Sequence, residues 1–88
     1  MGNNQKQSHA ITNMVVELNA TIKMPYFTAK YCCEARTYEL VQTELGKQVK
    51  LYDFLLAGPI TYAEMFHYLN GVLLGIRANN VINKNNKI

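Results

Sequence analysis

The sequence predicts an all-α fold: a helical hairpin with a long helix at about 26–57 and a second at about 61–78, joined to an N-terminal segment at about 10–24. Three observations predict it. Tyr31, Tyr38, Leu45 and Tyr52 recur at heptad spacing, each followed a helical turn later by Ala35, Gln42, Val49 and Leu56. Gly58-Pro59-Ile60 reads as the stop of one helix, with Thr61 to Glu64 as the start of the next. Ile11, Val15, Leu18 and Ile22 fall on one helical stripe.

Taken in order, residues 1–8 are polar and aperiodic and read as a disordered tail. The 10–24 segment carries two patterns at once. Its helical stripe competes with a strand alternation in which Val16, Leu18, Ala20, Ile22 and Met24 interleave with Glu17, Asn19, Thr21 and Lys23. A strand needs a partner for its backbone groups, and no second run alternates as cleanly, so the helix is favoured and the strand stays open.

The long helix starts at Pro25, which suits a first-turn position because its missing N–H costs nothing there. Gly46 weakens a helix interior by about 1 kcal/mol relative to Ala, which makes a break there, or a hairpin turn at Leu45-Gly46-Lys47, the rival reading. In the last segment Tyr62, Phe66, Leu69, Leu73 and Ile76 form the stripe, and Thr61 with Glu64 makes a capping box. So short a joint folds two helices back antiparallel, seam to seam. Residues 80–88, rich in Asn and Lys, read as a disordered basic tail, leaving a single domain at 9–79.

A chain of 88 residues buries only about 60% of the surface exposed by its unfolded form, so its core is thin and an oligomeric bundle is expected. Apolar residues off the seam support this. Cys33, Leu40 and Phe54 line the far side of the long helix, and Gly71, Gly75 and Ala78 make a small-residue groove beside His67. Tyr26, Phe27 and Tyr68 also lie off the seam. The candidate interaction surface is therefore Tyr26, Phe27, Cys33, Leu40, Phe54, His67, Tyr68, Gly71 and Gly75, and a two-fold homodimer is the simplest assembly.

Other chemistry is sparse. The formal charge of +3 comes from Lys6, Lys84 and Lys87 in the tails, since the remaining basic residues balance the acidic ones. Glu64 and His67 have the Glu-x-x-His spacing of bundle metal sites, but they point away from the seam and Glu64 serves the cap, so no metal is expected. Adjacent Cys32-Cys33 lacks the spacing of a redox or zinc motif and reads as a reduced pair. No catalytic triad order, phosphate loop or cofactor motif is present. The first residues lack an apolar signal and no run is long enough to span a bilayer, so a soluble cytoplasmic protein is expected.

The functional expectation is a non-enzymatic oligomer acting by protein–protein interaction. In its Asn, Lys and Ile richness and small size the chain resembles accessory proteins of phages. That likeness implies inhibition of a host enzyme or defence system and transfers no residue roles. An alternative is an inter-subunit pocket in which Arg36, Tyr38, Gln42 and Arg77 hold a nucleotide-like ligand, and a second is nucleic-acid binding through the basic tails.

Overall fold

Phe27 opens a β-strand, and residues 27–42 are built as a hairpin of a sheet. A computed structural model describes residues 2–85, with side chains for 6–79. Helix α1 (Gly2–Ile22) leads into strands β1 (Phe27–Cys32) and β2 (Thr37–Gln42). There follow a short helix α2 (Glu44–Val49), a 3-10 turn (Asp53–Leu55), strand β3 (Ala57–Ile60) and helix α3 (Tyr62–Asn85). The strands pair antiparallel in the order β1-β2-β3. The fold is therefore α+β, and the expected all-α hairpin with one helix over 26–57 is overturned.

The correction has a physical cause. A repeat of seven fits a helix, but it also fits two strands whose phase is reset by a turn. Phe27, Ala29 and Tyr31 then share one face of β1, and Tyr38, Leu40 and Gln42 share the same face of β2. Residues 33–36 make the turn between them, with Arg36 left-handed at φ 54°. Aromatic and β-branched residues across 26–43 favour this pleated, half-buried surface.

The helical stripe of the first segment does form a helix. Ile11, Val15 and Leu18 are buried, and α1 also takes in residues 2–8, expected as a tail. Lys23, left-handed at φ 62°, ends it, with Met24 N–H reaching the Asn19 carbonyl at 3.0 Å. On α3, Met65, Leu69 and Leu73 are buried. The Thr61–Glu64 box closes as expected, with Thr61 N–H and Oγ1–H donating to Glu64 Oε1 at 3.0 and 2.9 Å, and Glu64 N–H donating to Thr61 Oγ1 at 3.3 Å. α3 continues to Asn85, and residues 86–88, part of the expected basic tail, lie outside the described residues.

Both long helices pack on one face of the sheet, where Tyr26, Phe27, Tyr38 and Leu40 complete a single core. Ser8 on α1 meets the Tyr38 hydroxyl at 3.1 Å, and Tyr62 on α3 lies against the Tyr38 ring. Further along, Arg77 pairs with Glu17. The two helices therefore run in the same direction, away from the β1–β2 turn and toward α2.

Gly58-Pro59-Ile60, expected as a helix stop, lies in β3. Gly58 sits at φ 104° where a Cβ would come within 2.5 Å of the Tyr38 carbonyl oxygen, so only glycine lets β3 close on β2 at its register shift.

Candidate functional site

The α2 segment is anchored on one side, and its outer side sets Leu45 and Val49 among exposed Lys47, Gln48 and Lys50. Thr43 caps α2 through its Oγ1, which accepts from Gly46 N–H at 3.2 Å and donates to the Pro25 carbonyl at 2.6 Å. Gly46 is buried against Tyr26, and a Cβ there would meet the Tyr26 carbonyl oxygen at 2.6 Å. This close approach, not a helix break, is what Gly46 supplies. Lys50, left-handed at φ 54°, ends α2 by donating its N–H to the Gly46 carbonyl.

Two tyrosine hydroxyls then fix the 3-10 turn. The Tyr26 hydroxyl donates to Asp53 Oδ1 at 2.5 Å and accepts from Tyr52 N–H at 2.9 Å. The Tyr68 hydroxyl donates to the Leu55 carbonyl at 2.6 Å. Burial raises both phenol pKa values, and Asp53 raises that of Tyr26 further as its hydrogen-bond partner and by its charge. Both hydroxyls stay protonated donors at neutral pH.

With its backbone held inward, this segment turns its apolar side chains outward. Leu45, Val49, Leu51 and Phe54 are all exposed within ten residues, and Phe54 keeps 77% of its surface in water. Beside them lies an open groove of about 380 Å³ between the 3-10 turn and the second half of α3. Tyr52, Phe54 and Leu55 form one wall, and Val72, Gly75 and Ile76 the other, with Asn79 at its end. Among the described residues no other part of the chain lies within 4 Å of where a Gly75 Cβ would be, so the groove is open at this glycine. Lys47 and Lys50 are exposed along the same segment, and Lys47 lies 3.5 Å from Glu44.

The residues expected to form one interaction surface are scattered. Tyr26, Phe27 and Leu40 are buried in the core and present no surface. Cys33 is exposed in the β1–β2 turn, at the far end of the sheet. His67 and Gly71 lie on the outer side of α3, His67 edge-on to Phe66, with no other part of the chain packed at Gly71 among the described residues. Tyr68 is half-buried, its hydroxyl committed to Leu55. Of that set, Phe54 and Gly75 meet, in the groove.

The four residues expected to hold a nucleotide do not converge within one chain. Arg36 is in the β1–β2 turn, Tyr38 is buried, Gln42 is at the other end of β2, and Arg77 on α3 pairs with Glu17. Glu64 is held by the cap, and hydrogen bonds from the Thr61 backbone and then its side chain lower its pKa. No cluster of metal-ligating side chains occurs among the described residues.

Leu45 and Val49 escaped the sequence reading as surface residues because the heptad spacing assigns both to a buried seam. Only the capping signal at Thr43, a hydroxyl residue just before Glu44-Leu45, marks α2 in the sequence as a separate short helix. Comparison with protein-family models, curated proteins and solved structures finds no match to this chain.

Proposed function

We propose that this chain is a non-enzymatic interaction protein whose working surface is the exposed apolar segment 45–54 together with the groove it forms with α3. The observation that carries this reading is Phe54. This phenylalanine is 77% exposed at the lip of an open apolar groove, within a segment pinned from behind, and its ring leans only on that of Tyr52 among the described aromatic residues. Large aromatic side chains beside a pocket are the usual anchors of protein–protein contacts. The pinned backbone favours this further, because a preorganised surface loses little conformational freedom on docking.

Self-association through this surface is the simplest use, since a second copy brings the same groove and the same phenylalanine to a two-fold axis. The two cysteines are free and exposed, which suits a reducing intracellular compartment. No helix among the described residues is long and apolar enough to cross a membrane.

The test substitutes Phe54→Glu. Light scattering and sedimentation of the wild type at increasing concentration are expected to show a dimer, and the variant's dissociation constant is expected to rise by about ten-fold or more. Affinity capture from the native cell, run in parallel with both proteins, covers a foreign partner. A wild type that stays monomeric and captures the same proteins as Phe54→Glu would refute the reading.

A further inference from the structure

Strand β1 is an edge of the sheet, and the parity of its ladder determines which of its backbone groups point outward. The Tyr26 carbonyl accepts from Thr43 N–H at 2.8 Å, and the register continues through Thr28↔Val41, Lys30↔Glu39 and Cys32↔Thr37. The Tyr26 carbonyl and both backbone groups of Thr28, Lys30 and Cys32 therefore face β2, the Tyr26 N–H being taken by the Met24 carbonyl, whereas Phe27, Ala29 and Tyr31 direct theirs to the free edge. Asn19 agrees with this orientation. Its side-chain amide donates to the Phe27 carbonyl and its Oδ1 accepts from Phe27 N–H, both at 2.9 Å, the two-point contact that a neighbouring strand makes. Ala29 and Tyr31 present the same pair of groups further along, and among the described residues these four groups meet no protein partner. The opposite edge is blunted: β3 has four residues and includes Pro59, which has no N–H to offer.

We infer that the Ala29–Tyr31 edge of β1 docks an extended segment of another protein, one that carries an acidic residue opposite Lys30 between two apolar residues. The charge requirement follows from Lys30, which is exposed on the open face midway between the two free residues and forms no ion pair among the described residues. The apolar requirement follows from Ala29 and Tyr31, which are half-buried on the helix-bearing face and pack against the core. A second copy fits poorly. The register that pairs Ala29 with Tyr31 of a copy sets Lys30 against Lys30, and like charges directly opposite destabilise an antiparallel pair. A lysine on an edge strand is a common guard against self-pairing. This docking site is separate from the 45–54 surface and does not rest on it.

The test uses two acetylated, amidated pentapeptides as probes, Thr-Val-Glu-Val-Thr and its lysine counterpart, titrated to millimolar concentration into the isotope-labelled full chain. The Ala29 and Tyr31 amides are expected to shift and to exchange more slowly. The glutamate peptide is expected to bind about five-fold more tightly than the lysine peptide, the ratio a cross-strand charge pair supports. In Lys30→Glu, a surface change whose fold is checked by circular dichroism, the preference reverses. The inference is overturned if neither peptide moves those two amides, if the shifts fall instead on Phe54 and Val72, or if the preference survives Lys30→Glu. Protection of Ala29 and Tyr31 that rises with protein concentration alone would assign the edge to a second copy and overturn it as well.

Discussion

Replacing Asn19 with alanine removes the one side chain that closes the end of the β1 edge. Its amide makes two hydrogen bonds to the backbone of Phe27, each 2.9 Å, and Phe27 itself is 2% exposed. A neutral hydrogen bond contributes about 0.5–1.5 kcal/mol net, and a buried group left unpaired costs about 1–3 kcal/mol, so the two losses together cost about 2–4 kcal/mol. Alanine recovers about 0.5 kcal/mol because it is a better helix former than asparagine in the last turns of α1. The expected net loss is about 1.5–3.5 kcal/mol, a fall in Tm of about 6–28 °C for a domain of this size. Thermal and urea unfolding followed by circular dichroism measure it, and hydrogen exchange localises it to the Phe27 amide. Asn19→Asp keeps the acceptor but sets a carboxylate oxygen against the Phe27 carbonyl where the amide donated, so its loss should at least equal that of alanine. A change under about 0.5 kcal/mol, or a Phe27 amide as protected as before, would show that the clamp contributes little and that water replaces it freely.

Two further substitutions probe other joints. Gly46→Ala places a methyl 2.6 Å from the Tyr26 carbonyl and 2.8 Å from Gln42 Cβ, so despite alanine's helix preference it should destabilise by about 1–3 kcal/mol, read as a lower urea midpoint at unchanged slope. The lowered pKa of Glu64 means its cap stabilises the fold fully above the unfolded carboxyl pKa and is lost as pH falls through the lower folded value. Tm of the wild type should accordingly fall more steeply on acidification than that of Glu64→Gln, and parallel curves would show that the cap carries no titrating stability.

The parts of this fold written in local chemistry were legible, and those written in phase were not. The Thr61–Glu64 cap and the α1 stripe each depend on residues within one or two turns, so their signals survive in the sequence. The middle of the chain failed because Tyr31 and Tyr38 keep the same face of a hairpin while sitting seven apart, a spacing that a helix also produces. The alternation that would have separated the two is weak, since Ala29 and Gln42 occupy inward positions usually held by larger apolar residues. Residues 45–54 were harder still. Leu45 and Val49 lie four apart, as a buried stripe would, and their exposure depends on Gly46 turning the opposite side of α2 onto Tyr26.

That dependence links the tyrosines to the proposed surface. Tyr26 is buried in the core, yet its carbonyl receives Thr43, its backbone receives Gly46 and its hydroxyl receives both Asp53 and Tyr52. Tyr68 adds a second anchor from α3 at Leu55. The polar groups of the 43–55 segment are thus met from inside by Thr43 and by two phenols. An unanchored segment would be free to fold Phe54 and Leu51 down onto the core and bury them. Here the inward positions are already filled by hydrogen-bonded backbone, so those side chains are held in water. Their exposure follows from how the core is built, and under the proposed function a partner would supply the burial that the chain's own packing withholds.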